Sequence, residues 1–208
     1  MASAVREDIT LLCLAYRETL DDNYKLLIGE LSERYNLVRL PTAPIARTYL
    51  ANQRPRSIIV ADGGICEPQN QDIAERLKTY IEDGGIVIFA LEFASTTSGD
   101  EHNNLFGQVF GIPWKYGGRC NATYAFNQEC NFPNGPIPNR SYTMEAHFIK
   151  NATPGEQIVI PLEGSMLRHS ESKLAPVVGK KLGKGYLIYC GNESVEVDLC
   201  RVLVSICN

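Results

Sequence analysis

The sequence has no apolar run near the ~18 residues that a membrane span needs, and its lysines and arginines do not gather in clusters. Its formal net charge of -4 gives no sign of the positively charged surface that nucleic-acid binding requires. Residues 1–10 include acidic side chains where a signal peptide would have its apolar core. These absences predict a cytoplasmic protein that binds neither nucleic acid nor membrane.

The seven cysteines include no Cys-x-x-Cys pair, and the three histidines show no His-x-His or His-x-x-x-His spacing. A zinc site and a disulfide framework are therefore not expected, and we predict neither a metal nor another cofactor. Cys120 and Cys130 are close enough in sequence to pair, but a reducing compartment favours free thiols.

The chain has 208 residues, 44% of them hydrophobic, which predicts one domain over residues 1–208. Short apolar runs alternate with segments of helical spacing in its first half. Strands are expected at residues 9–16, 36–40, 57–62 and 86–93, and helices at 21–35, 45–53 and 70–85. This alternation predicts an α/β fold, a flavodoxin-like three-layer sandwich with a mostly parallel sheet and the first strand at its centre.

The second half is less regular. Residues 114–142 are rich in Gly, Pro and Asn, which predicts a long loop excursion, either a lid or an elaborated surface loop. Trp114 is expected to be a core anchor rather than a stacking platform. Later short apolar runs predict strands, including a late β-hairpin that turns at the "GKG" of residues 183–185, and a closing helix.

Three stretches carry a resemblance: "IIVADGG", "YIEDGGIVIF" and the ending "LGKGYLIYCGNESVEVDLCRVLVSIC". Together they resemble the class I glutamine amidotransferase-like superfamily, nearest to its trehalose-utilisation-like (ThuA-like) branch and to uncharacterised fungal proteins. The similarity covers roughly residues 8–207. It implies a catalytic cysteine on a tight elbow after the strand "IVIFALEF". Here the elbow falls around Leu91, Glu92 and Phe93, where no cysteine is present, so the Cys-His-acid triad is not expected to operate.

Other parts of such a site remain. The resemblance implies that the backbone amides of Gly63 and Gly64 form an oxyanion hole, although the two glycines could instead serve a tight turn that needs positive φ. Glu18 corresponds in order to an acidic residue that faces the nucleophile in some members.

Glu18 and Glu92 are predicted to form a catalytic carboxylate pair with a raised pKa, and His102, in a polar loop, is the best general acid candidate. The alternative is that Glu18 caps a helix, Glu92 is solvated and His102 is structural. Cys66 is expected to be an apolar filler rather than a nucleophile.

The carboxyl ends of parallel strands are where open α/β sheets bind ligands. The residues expected to contact a ligand there are Gly63, Gly64, Phe93, Asn192 and Glu193.

The sequence thus predicts a small-molecule enzyme of the hydrolase or lyase type, with its crevice at the strand carboxyl ends. The alternative is a non-catalytic domain that binds a metabolite or a protein and has lost the chemistry. In both cases a small-molecule ligand or substrate is expected as partner. A homodimer stays open as the oligomeric state.

Overall fold

A computed structural model describes residues 6–130, 141–165 and 174–192, together with residues 203, 206 and 207. The strands are β1 (Asp8–Leu12), β2 (Asn36–Leu40), β3 (Ser57–Val60), β4 (Ile86–Phe89), β5 (Lys115–Phe126), β6 (Tyr142–Lys150), β7 (Gln157–Pro161), β8 (Val177–Leu182) and β9 (Gly185–Cys190). The α-helices are α1 (Thr19–Asn23), α2 (Lys25–Arg34), α3 (Ala43–Asn52), α4 (Gln71–Glu82), α5 (Phe93–Thr96) and α6 (Gly99–Asn104). Leu203, Ile206 and Cys207 are also helical and buried, where a closing helix was predicted.

The strands form one sheet in the spatial order β2-β1-β3-β4-β9-β8-β7-β5-β6. β1 pairs in parallel with β2 and β3, β3 with β4, and β4 with β9. Beyond β9 every pairing is antiparallel, and the longest joins β5 to β6. The fold is therefore mixed α/β. The prediction of a mostly parallel sheet is wrong, because the second half adds antiparallel strands rather than further βαβ units.

Apolar side chains cover both faces of the parallel strands. Successive residues of a strand point to opposite faces, so Ile59 lies in one hydrophobic core and Ile58 in the other. Leu27 of α2 packs in the first core, and Leu77 of α4 packs in the second. β1 lies between β2 and β3, so the expectation that it is the central strand is wrong, and β9 occupies the middle of the sheet.

The antiparallel strands curl back towards the parallel ones. Ala146 of β6 forms an antiparallel bridge with Asn192, just after β9, and Ile149 forms one with Ala175, just before β8. Much of the predicted loop excursion is in fact β5, a strand of 12 residues. The predicted lid or surface loop at residues 114–142 falls partly outside the described residues, which do not include 131–140.

Two smaller predictions are confirmed. β8 and β9 form the late hairpin, with Leu182 paired to Gly185 beside the turn. Trp114 is fully buried, and its indole Nε1 donates a hydrogen bond to Oε2 of Glu156 at 3.0 Å. Of the helices that the described residues form, none combines the length and the apolar character that a membrane crossing requires.

Candidate functional site

One edge of the sheet collects the strand ends that the sequence points to. β3, β4 and β9 are parallel neighbours, so their carboxyl ends lie together. Gly63 follows β3, Glu92 follows β4 and Asn192 follows β9. The prediction that these three residues lie at the same edge is confirmed.

The elbow after β4 is a sharp turn from strand to helix. Leu91 has φ 60, a left-handed conformation that costs a non-glycine residue roughly 1–2 kcal/mol. α5 begins two residues later, at Phe93. The Leu91 side chain is only 4% exposed and packs in a hydrophobic core. The strained elbow is therefore present, with a buried leucine at its tip.

Glu92 follows the elbow and is a buried carboxylate with hydrogen-bond partners on α1. Its side chain is 8% exposed. Oε1 accepts hydrogen bonds from the Thr19 hydroxyl at 3.2 Å and from the Asn23 amide at 3.4 Å. Thr19 and Asn23 are exposed residues of α1, so this carboxylate lies just below the molecular surface. The alternative interpretation of the sequence, that the Glu92 side chain is solvated, is therefore wrong.

Asp62 is the carboxylate that lies near Glu92, and the sequence analysis did not select it. Both carboxylate oxygens lie 3.1 Å from the Ala15 amide, and Oδ1 also accepts from the Gly64 amide at 2.9 Å. Burial raises the pKa of Asp62, and the nearby Glu92 carboxylate raises it further. The signal that could have found it is its position between a buried strand and the glycine pair of "ADGG".

Glu18 is not among the hydrogen-bond partners of Glu92. It precedes α1, is exposed, and makes no side-chain capping bond to that helix. The structure therefore brings Glu92 towards Asp62, and it leaves Glu18 at the surface of the same edge.

The amides of Gly63 and Gly64 have internal acceptors. Gly63 donates to the Thr96 hydroxyl at 2.9 Å, and Gly64 donates to Asp62. Neither glycine has positive φ. A Cβ on Gly64 would lie 2.7 Å from the Ala15 nitrogen, so the glycine is required by the close approach of the loops that follow β1 and β3.

His102 and Phe93 are both fully buried, which corrects the expectation that His102 stands in a polar loop. His102 is on α6, its ring centroid lies 5.1 Å from that of Phe93, and its Nδ1 donates to the Ser98 carbonyl at 3.0 Å. Burial lowers the pKa of His102 to about 4. Phe93 packs against Phe89 as well, with a centroid distance of 4.9 Å. In this structure both side chains are core residues and neither reaches the surface.

Asn192 is also buried, at 2% exposure. Its Nδ2 donates to the Tyr142 hydroxyl at 3.4 Å, and its Oδ1 is buried without a hydrogen-bond partner among the described residues. Glu193, the last of the predicted ligand contacts, lies outside the described residues.

Cys66 ends a short 3₁₀ turn, Gly63–Cys66, and is half-buried. Burial raises the pKa of its thiol to about 12. The other described cysteines, Cys13, Cys120, Cys130, Cys190 and Cys207, are free thiols as well. Within the described part of the chain, no three His, Cys, Asp or Glu side chains are grouped as metal ligands would be.

Cys66 is expected to resist alkylation in the folded protein. The thiolate is the reactive form, and a pKa of about 12 leaves almost none of it at pH 8. Iodoacetamide should modify Cys66 at least ~100-fold more slowly than it modifies a free cysteine of pKa about 8.5, as peptide mapping by mass spectrometry would measure. The same measurement in denaturant serves as control, and rapid labelling of Cys66 in the native protein would contradict the prediction.

No family model and no curated protein matches this chain. A solved ThuA-like protein from Bacteroides uniformis ATCC 8492 superposes with a TM-score of 0.61 over 99% of this chain and 91% of that one, at 13% sequence identity. The fold is similar to that of this ThuA-like protein. At such low identity the similarity concerns the fold alone.

Parts of two longer enzymes are also similar in fold to this chain. The β-galactosidase from Halorubrum lacusprofundi matches with a TM-score of 0.59 and 13% identity over 99% of this chain, which spans 30% of that enzyme. The β-galactosidase from Bacillus circulans sp. alkalophilus matches with a TM-score of 0.56 and 10% identity over 96% of this chain, again 30% of the enzyme. The chain thus corresponds in fold to under a third of each β-galactosidase.

Proposed function

We propose that this protein is a non-catalytic domain that binds a small molecule at the carboxyl edge of its parallel strands. We further propose that it belongs to the ThuA-like branch of the class I glutamine amidotransferase-like superfamily, as a member without the nucleophilic cysteine. The observation that carries the proposal is the elbow around Leu91, Glu92 and Phe93, where the resemblance implies a nucleophilic cysteine. The residue with the left-handed backbone of the turn is Leu91, and its side chain is buried. An alkyl side chain cannot attack a substrate.

The surroundings of the elbow support the same conclusion. An oxyanion hole needs amide hydrogens that point at an empty position, but those of Gly63 and Gly64 already donate to Thr96 and Asp62. A general acid must reach its substrate, but the His102 side chain is fully buried. Nucleophile, oxyanion donors and histidine are therefore all unsuited to the chemistry of the catalytic relatives.

What remains at the edge is suited to recognition. The Glu92 carboxylate accepts hydrogen bonds, and the exposed Thr19 and Asn23 beside it add a hydroxyl and an amide. Such a set pairs best with a ligand that donates several hydrogen bonds, which is the property of a polyol or a sugar. We infer a small, neutral, hydroxyl-rich ligand for this site.

The test is a thermal-shift screen of sugars, polyols and nucleosides, followed by titration calorimetry of the best compound. Replacing Glu92 by glutamine keeps the shape of the side chain and removes its charge. A hydrogen bond to a charged group is worth more than one to a neutral group, so the E92Q variant should bind about 10-fold more weakly or worse. The control is E33Q, which neutralises an exposed glutamate on α2 and should bind as the parent does.

Equal affinities for E92Q and the parent would overturn the assignment of the ligand to this edge. A screen in which no hydroxyl-rich compound raises the melting temperature would overturn the ligand class. Both outcomes are readable as long as E92Q retains the cooperative unfolding of the parent.

A second candidate is a hydrolase or lyase that does not use the Cys-His-acid triad. The observation that favours it is the proximity of two buried carboxylates, Asp62 and Glu92, with the pKa of Asp62 raised. Glu92 would then act as acid or base, and E92Q would lose turnover by at least ~100-fold while still binding the compound. Turnover of the bound compound by the parent is the result that separates this candidate from the binding domain.

The remaining expectations from the sequence stand as proposals. We propose one domain over residues 1–208, with a flavodoxin-like three-layer arrangement in its parallel half and a cytoplasmic location. A net charge of -4 supports the proposal that nucleic acid is not a partner. A homodimer would be tested by light scattering.

A further inference from the structure

A concavity lies beside the loop that follows β3, and Glu92 is not among the residues that line it. It has a volume of about 510 Å³, within the range of ordinary small-molecule sites. One wall is formed by the start of α4 and the loop before it, and the other by the end of α6 and the turn that follows. We call it the α4/α6 groove.

The turn that follows α6 is a π-helix, Leu105–Val109. The hydrogen bond that defines a π-helix joins residues five apart, and here the Phe110 amide donates to the Leu105 carbonyl at 3.3 Å. Single π-helical turns are rare, and they are found frequently at functional sites. Leu105, Gln108 and Val109 of this turn line the α4/α6 groove, so the irregularity of the helix shapes that groove directly.

The floor of the groove is apolar and uncharged. Ile65, Ala74 and Leu105 are buried at 2%, 1% and 4% exposure, and half-buried Cys66 and Val109 complete the surface. The Cys66 thiol remains protonated at neutral pH because burial raises its pKa to about 12. An apolar ligand body of roughly ring size can therefore lie on this floor without removing a charge from water.

The rim is acidic. Glu67, Glu75 and Glu101 line the groove together with a single cation, Lys78. Glu67 and Glu75 accept hydrogen bonds from glutamine side chains, which carry no charge to balance theirs. Hydrogen bonds within the α6 capping box hold the pKa of Glu101 below its ordinary value, so it stays ionised. Three carboxylates against one ammonium make the mouth of the groove negative.

We propose that the α4/α6 groove binds an amphipathic cation, a small molecule with an aromatic or aliphatic body and an ammonium group. The apolar floor takes the body, and Glu67 and Glu75 face the ammonium group at the rim. This site is separate from the Glu92 edge, because none of the residues that line it contacts the Glu92 carboxylate through a described hydrogen bond. It can be tested independently of the proposed function.

The experiment compares three probes that share an indole ring and differ in charge: tryptamine, tryptophol and indole-3-acetate. Titration calorimetry or ligand-observed NMR at low ionic strength should give affinities in the order tryptamine, tryptophol, indole-3-acetate. Exposed ion pairs contribute modestly, so tryptamine should bind about fivefold more tightly than tryptophol, and added salt should reduce that difference. Equal affinities for the three probes, or no binding of tryptamine, would refute the proposal.

Variants locate the site. The double variant E67Q/E75Q should lose the preference for tryptamine over tryptophol, while the control E33Q retains it. Both changes are to exposed side chains, so the melting temperature should remain that of the parent. The E92Q variant should also bind tryptamine as the parent does. If tryptamine instead loses affinity only in E92Q, the cation binds at the Glu92 edge and the α4/α6 groove is not its site.

Discussion

Replacing Gly191 by alanine is expected to destabilise the protein by about 3 kcal/mol, the upper end for overpacking a buried position, or by more. An alanine Cβ there would lie 2.0 Å from the His147 carbonyl oxygen and 2.8 Å from the Tyr189 hydroxyl. The clash with a backbone atom cannot be relieved by rotating a side chain. Gly191 also donates to the Pro176 carbonyl and accepts from the His147 amide, both at 2.8 Å. β6 would have to move away from the end of β9.

The measurement is the free energy of unfolding in urea, monitored by circular dichroism, for G191A and for the parent. G29A is the matched control, since Gly29 is exposed within α2 and a Cβ there meets nothing within 4 Å. The same exchange in a helix interior should stabilise by roughly 0.5–1 kcal/mol. A G191A variant as stable as the parent would show that β6 does not pack against Gly191 as described.

Acidification from pH 7 to pH 4 is expected to cost the protein about 3 kcal/mol through His102 alone. Burial lowers the pKa of this imidazole from 6.5 in the unfolded chain to about 4 in the folded one. Between those values the unfolded state binds the proton and the folded state does not, so stability falls as the pH falls. Above pH 6.5 the His102 contribution is fully present.

The check is the difference in unfolding free energy between the parent and H102F, measured from pH 7 to pH 4. Phenylalanine fits among the aromatic neighbours and cannot titrate, so other acidic groups cancel in the difference. The unfolding free energy of the parent minus that of H102F should fall by about 3 kcal/mol between pH 7 and pH 4. H102Q provides a second titration-free variant. A difference that does not depend on pH would mean that His102 is not buried.

The sequence predicted the location of the candidate site better than its contents. The runs at residues 57–62 and 86–93 are apolar and of strand length. Glycines at 63–64 mark the end of the first run, and glycines at 84–85 mark the end of the helix before the second. Parallel strands end at the same edge, so the placement of Gly63 and Glu92 followed from the order of elements. The pairing of β3 with β4 confirms it.

The second half could not be predicted in the same way. β5 contains Gly117, Gly118 and Asn121, which are poor strand formers, and its apolar residues do not alternate cleanly. It is a strand because β6 pairs with it along one side and β7 with its end on the other. Strand formation at β5 depends on these neighbours, and a single-segment pattern cannot show them.

The sequence by itself determined which residues form the parallel strands, and that no cysteine is present where the elbow falls, around Leu91, Glu92 and Phe93. Only the tertiary structure decided that the buried Asp62 carboxylate lies near Glu92, and that the amides of Gly63 and Gly64 already have acceptors. The partners of these groups are distant in the chain: Ala15 and Asp62 are 47 residues apart, and Thr19 and Glu92 are 73 apart. Helical and strand periodicity reports which face of an element is apolar, but it does not report which distant polar groups meet where two elements pack.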